Sequence, residues 1–138
     1  MIDTHLHLDD QVFDGKVDQI IAEMKACGVE FVINNSYDLN SMRSSVELAH
    51  KYKEVYATVG MHPHDSKGFD DGFVAEMTAL ASDPKVVAVG EIGLDYYYDL
   101  SDRQTQRDVF AAQIELADKY GICILLVHHL RKQSSSDP

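Results

Sequence analysis

Apolar runs of β-forming residues alternate with helix-periodic segments along this chain, and that alternation constrains its fold more than any other feature. The runs fall at residues 2–8, 31–34, 55–59, 86–89 and 122–127. Several are continuously apolar, as strands covered on both faces are. Between them, Val17, Ile20, Ile21 and Met24 share one helical stripe, and Gly28 stands where a C-terminal cap belongs. A second helix is predicted over 41–52 and a third over 72–81, with Phe73, Met77, Leu80 and Ala81 inward. A fourth is predicted over 102–120, with Val109, Phe110, Ile114 and Ala117 on one face and Gly121 closing it. Strand starts lie roughly 25 to 36 residues apart, the size of a parallel βαβ unit with its crossover helix. The reading is therefore α/β, about five parallel strands joined by four crossover helices. Residues 1–132 form one unit, and the polar, Ser-rich 133–138 is expected to be a disordered tail.

In parallel α/β architectures functional groups gather at the C-terminal ends of strands. His5 and His7 belong to the first strand end, Asn34, Asn35 and Ser36 to the second, and His62 and His64 to the third. Glu91 and Asp95 belong to the fourth, His128 and His129 to the fifth. Six of the seven histidines thus collect at one predicted edge, whereas His50 sits in the second helix as a surface residue. On an extended strand positions 3, 5, 7 and 9 share a side, so Asp3, His5, His7 and Asp9 are expected to converge while Ile2, Thr4, Leu6 and Leu8 pack away. Two imidazoles two residues apart suit a divalent transition metal. Glu91, flanked closely by Gly90 and Gly93 after an apolar strand, would be costly to bury unpaired but is well placed to ligate a cation. Tyr96, Tyr97 and Tyr98 could stack on a base or sugar, or simply pack.

The formal charge of −11 argues against nonspecific attraction to phosphate backbones, although bound divalent cations would present local positive charge. Cys27 and Cys123 lack C-x-x-C spacing and are expected to be reduced, buried small hydrophobes. The sequence has neither an apolar run of about 18 residues nor a charged-then-apolar leader, so no membrane partner is expected and the location reads as cytoplasmic.

Three motifs, in this order and spacing, resemble the TatD-type metal-dependent deoxyribonucleases: Asp3-Thr4-His5-Leu6-His7-Leu8-Asp9, Gly60-Met61-His62-Pro63-His64 and Gly90-Glu91-Ile92-Gly93-Leu94-Asp95-Tyr96. Residues 106–117 and the strand ending at His128 are similar to that family's next helix and strand. The resemblance implies the N-terminal portion of an amidohydrolase-like TIM (β/α)8 barrel. It also implies two divalent metal ions (Zn, Mn or Mg), with His5 and His7 on one, His128 on the other, and Glu91 bridging both. Glu91 and His62 are then the expected catalytic residues, and His62, His64, Asp95 and Tyr96 the expected substrate-binding ones. The implied reaction is hydrolysis of DNA phosphodiester bonds by a water activated between two metals.

The sequence departs from that pattern in two ways. A complete barrel takes at least about 200 residues, and this chain supplies five strands of eight. The family's sixth-strand His and eighth-strand Asp have no counterpart. After His128 the chain reads His129-Leu130-Arg131 where the family has a small residue and then Arg, so either His128 or His129 can be the ligand. Five strands leave two open edges, which predicts self-association or pairing with a complementary half. Two other readings stand beside the nuclease: a metal-dependent hydrolase of a different ester or amide, and an inactive partial barrel that binds metal or a partner.

Overall fold

The computed structural model describes residues 1–129, without the side chains of His128 and His129. The expected tail over 133–138 lies outside the described residues. The described residues form one parallel sheet in the order β1-β2-β3-β4-β5, with strands Ile2–Leu6, Phe31–Asn34, Val55–Val59, Val86–Asp95 and Cys123–His129. Four helices make the crossovers: α1 Val17–Ala26, α2 Leu39–Lys51, α3 Asp71–Leu80 and α4 Arg103–Tyr120. This is the expected partial TIM barrel: five adjacent parallel strands with a helix between each pair, curled into a half-barrel.

Local chemistry sets the element ends. At the end of α1 the Val29 amide reaches back to the Met24 carbonyl (2.9 Å) and the Gly28 amide to that of Lys25 (3.0 Å), with Gly28 at φ +82°. That is a Schellman motif, and it needs a residue that tolerates the left-handed region. Gly121, at φ +63°, closes α4 in the same manner. Asp38 and Ser41 form a reciprocal capping box, which starts α2 at Leu39, two residues earlier than the periodicity suggests. Asp70 and Asp102 cap α3 and α4 through the Phe73 and Thr105 amides; such caps contribute about 1 kcal/mol each.

The main core lies where the first three helices cover the sheet, and it holds Ile21, Val32, Met42, Val55, Phe73 and Met77. A smaller cluster of Val89, Ile92 and Ala117 joins α4 to β4.

The structure corrects several expectations. β1 ends at Leu6 rather than residue 8, and only Leu8 of its supposed packing face is fully buried (2 % exposed). Ile2 and Thr4 are exposed because β1 is an edge strand. β4 runs six residues beyond its predicted end, to Asp95. Both cysteines are exposed, not buried: Cys27 ends α1 at the surface, and Cys123 opens β5, the other edge strand. Ile114, expected on the inner face of α4, is 37 % exposed.

Candidate metal centre

Glu91 sits where β4 departs from regular pairing. Its register against β5 shifts between Val89 and Ile92, and irregularities of this type re-aim a side chain. β1 shows a similar break against β2 between Asp3 and Leu6, the stretch that carries His5. A polar ladder below fixes the Glu91 backbone. The Ser36 hydroxyl donates to the carbonyls of Thr58 (3.0 Å) and Gly90 (3.1 Å), the Thr58 hydroxyl also donates to the Gly90 carbonyl, and the Glu91 amide donates to the Ser36 carbonyl (2.7 Å). Ser36 and Thr58 are fully buried, so the β4 backbone is tied across β3 to β2.

The His5, His7 and Glu91 ligand atoms lie within 4.8 Å of one another. His5 Nε2 is 2.5 Å from Glu91 Oε1, and His7 Nε2 is 3.9 Å from the same oxygen. Glu91 is only 6 % exposed. The His7 ring is oriented from behind, its Nδ1 lying 2.9 Å from the Asn35 carbonyl. A carbonyl only accepts, so Nδ1 carries the proton, and in the neutral ring Nε2 offers its lone pair toward Glu91. A backbone carbonyl behind a metal-binding imidazole is a common supporting arrangement. The Asn35 amide donates to the Leu6 carbonyl (2.8 Å) and its side-chain nitrogen to the Thr4 carbonyl (3.1 Å), which ties this support to β1.

These donors fit a cation. Two imidazole nitrogens and one buried carboxylate oxygen match the ligand types of Zn2+ and Mn2+, and three protein ligands leave a position open for water or substrate. Ligand distances of about 2.0 to 2.2 Å hold neighbouring donors roughly 3 Å apart, so the His5–Glu91 contact opens slightly around an ion. The surroundings are electronegative. Burial raises the Tyr37 phenol, and Asp9, Asp38, Asp10 and Asp65 push it further up. Burial likewise raises the Asp65 carboxyl, with Asp38 adding to it.

A cleft of about 240 Å3 opens above Glu91, with His7, His62 and His64 also on its walls. His62 Nδ1 accepts from the His64 amide (3.2 Å) at the start of a 3-10 turn over Pro63–Gly68, and the two rings meet edge to face at 4.3 Å. His64 Nε2 bonds Asp95 Oδ2. Burial alone would raise the Asp95 carboxyl, but the Tyr98 amide, the His64 ring and the Tyr97 amide outweigh it and hold its pKa at about 2.

Other expected residues do not join the cleft. Asp95 is fully buried beneath His64. Tyr96 instead receives the Arg103 guanidinium over its ring (4.7 Å) and a hydrogen bond from Arg107 (3.2 Å). Asp3 accepts from the His5 amide, and Asp9 from the Asn34 side chain. The backbone of His128 pairs beside Leu94 and that of His129 beside Asp95, but the choice between their side chains lies outside the described part. His50 is at the surface against Asp83 (2.7 Å), as expected. A larger concavity of about 570 Å3 lies at the opposite ends of the strands around Phe31 and the Lys25–Glu54 ion pair, and among the described residues no convergent ligand set lines it.

Sequence reasoning passed over Tyr37, whose ring meets His7 edge to face at 5.8 Å and lines the cleft. It directly follows Asn34-Asn35-Ser36, and that adjacency was the available signal. Gln106 and Gln113 of α4 were also missed; both are buried on the helix's inner face.

Comparison with known proteins identifies the family. The family model for TatD-related DNases matches residues 2–136. The chain is 33 % identical over 126 residues to a protein of Bacillus subtilis named as an uncharacterized metal-dependent hydrolase, YabD, covering 91 % of this chain and 49 % of that one. It is also 33 % identical to a Cronobacter turicensis protein named 3'-5' ssDNA/RNA exonuclease TatD, covering 91 % and 48 %. Among solved structures, YJJV, a TatD homolog from Escherichia coli K12, superposes with a TM-score of 0.86 at 30 % identity over 96 % of this chain and 51 % of the other. A TatD-family hydrolase from Entamoeba histolytica gives 0.82 at 27 % identity, covering 96 % and 50 %. The chain spans about half the length of the curated relatives it matches. On sequence and fold together, it belongs to the TatD-related DNase family.

Proposed function

We propose that residues 1–132 form the metal-binding part of a hydrolase that cleaves DNA phosphodiester bonds with two divalent ions. The observation that carries this reading is the convergence of His5, His7 and Glu91 at the C-terminal strand ends, beside a cleft walled by His62 and His64. His5 and His7 would hold one ion, His128 would contribute to a second, and Glu91 would bridge them. Divalent ions held there would supply Lewis acidity and lower the pKa of a bound water from 15.7 to about 7. His62 and His64 face the space a scissile phosphate would occupy, where an imidazole can donate a hydrogen bond or a proton to an oxygen. Asp95 acts from behind His64.

A nucleic-acid substrate is supported by the exonuclease name of the Cronobacter relative. The net charge of −11 favours a small substrate instead, which keeps another ester or amide in view. Among the described residues no helix is long and apolar enough to cross a membrane, and a cytoplasmic location is part of this proposal. Self-association through the open strand edges is another part.

The test is hydrolysis of single-stranded DNA, duplex DNA, and small phosphoesters, carboxylic esters and amides with added Mg2+, Mn2+ or Zn2+. Metal-dependent DNA cleavage that falls at least a hundredfold in His5→Ala and Glu91→Ala is expected. Cleavage only of small substrates would replace DNA as the substrate, and metal binding without hydrolysis of any of them would leave an inactive partial barrel.

A further inference from the structure

Gln106 and Gln113 are 0 % and 1 % exposed on the inner face of α4, between apolar neighbours such as Val109 and Ala117. Glutamine is mostly an exposed residue, so two buried ones on one face need a reason. Each carboxamide acts as a substitute peptide group. Gln113 Oε1 accepts from the Met61 amide (2.7 Å) and its Nε2 donates to the Met61 carbonyl (3.1 Å). Gln106 Oε1 accepts from the Asp95 amide (2.8 Å), and its Nε2 donates to the carbonyls of Asp95 (3.1 Å) and Ser101 (2.8 Å).

The two residues so clamped belong to different strand ends. Met61 immediately precedes His62, and Asp95 closes β4. Seven residues on a helix are about two turns and a rise of about 10 Å, so both glutamines project from the same face of one rigid element. The circuit closes at His64. Its ring bonds Asp95 Oδ2 and its carbonyl accepts from the Ser101 hydroxyl (2.7 Å). Asp95 is further fixed by the Tyr97 and Tyr98 amides, each 2.9 Å from Oδ1.

We propose that Gln106 and Gln113 are positioning residues for His62 and His64. Helix α4 acts as a common rail that sets the β3 loop against the end of β4 and thereby holds Asp95 against the His64 ring. The functional half of this proposal rests on reading His62 and His64 as substrate-side groups; the geometric half does not. Asp95 belongs to the same device and acts through His64, rather than touching substrate.

The test follows the imidazole rings directly. Long-range 1H–15N spectra are compared for wild type, Gln106→Met, Gln113→Met and Val109→Ala, with His50 as an internal reference on the far surface. Both glutamine variants are expected to move the His64 ring nitrogens toward the values of the Asp95→Asn variant. Val109→Ala, which removes buried volume from the same helix, is expected to lose stability without moving them. An unchanged His64 ring in folded glutamine variants, or an equal shift in Val109→Ala, overturns the proposal. Should the variants not fold, hydrogen exchange on the wild type decides. The Met61 and Asp95 amides are expected to be protected as strongly as the Val89 amide, and exchange at loop rates would overturn the proposal.

The functional half is read separately. With an oligonucleotide that wild type cleaves in Mn2+, each folded glutamine variant is expected to lower kcat/KM about tenfold with unchanged Mn2+ affinity; wild-type kcat/KM would overturn it. Failure of wild type to cleave would sink the nuclease reading and leave the spectra to judge the positioning.

Discussion

Glu91 combines two properties that conflict unless a cation is near: it is a carboxylate, and it is 6 % exposed. Burying an ionised carboxylate costs several kcal/mol unless it is well paired, and the side chains facing it are two imidazoles. A divalent ion held there would resolve the conflict. Asp95 resolves the same conflict without one, through two backbone amides and the His64 ring. Because its pKa falls from the ordinary 3.8 to about 2 on folding, it contributes about 2 kcal/mol of stability. The sign follows from the depression: the contribution is complete above about pH 4 and lost as pH falls through 2. In urea unfolding at pH 5 and pH 2, wild type is expected to lose about 2 kcal/mol more than Asp95→Asn between the two conditions. Equal losses would show that the carboxylate is not stabilised by folding.

At the scale of elements, β4 and β5 depend on an approach that only glycine permits. A Cβ on Gly93, at φ +151°, would stand 1.7 Å from the Val127 carbonyl oxygen, whereas a Cβ on Gly15, at φ +71°, would meet nothing within 4 Å. Gly93→Ala is therefore expected to cost on the order of 3 kcal/mol or more and Gly15→Ala about 1 kcal/mol, read as urea midpoints. Similar midpoints would mean that the two strands do not approach so closely. This contact also shows what the sequence could and could not reveal. The strand and helix order was legible because apolar runs and 3.6-residue stripes report burial directly. The extension of β4 was not, because Gly90 and Gly93 look like loop residues until β5 lies beside them. The histidine ends were legible from residue type and strand order. The hidden glutamines were not, because their partners are backbone groups, which leave no mark on a sequence, and they lie at the ends of two different strands. Cys27 and Cys123 misled because their residue type usually signals burial, while exposure here follows from a helix end and a sheet edge.

At the scale of the molecule, β1 and β5 each have one neighbour in the sheet among the described residues, and these edges carry exposed apolar groups: Ile2 at 58 %, Ile124 at 43 % and Leu126 at 58 %. Open parallel edges of this type invite pairing, and a charge of −11 on every copy opposes it. Salt screens that repulsion. Sedimentation velocity is thus expected to show mass increasing with concentration, more strongly at 0.5 M than at about 0.05 M salt; a monomer throughout would contradict edge pairing. The candidate metal centre draws on β1 and β4, which among the described residues are separated in the sheet by β2 and β3, so the curl of the sheet is what brings His5 and Glu91 together. Anomalous diffraction from crystals soaked in Zn2+ or Mn2+ tests that convergence most directly. An ion peak at about 2.0 to 2.2 Å from His5 Nε2, His7 Nε2 and a Glu91 oxygen is predicted, and a map with no peak among those three residues would contradict the account.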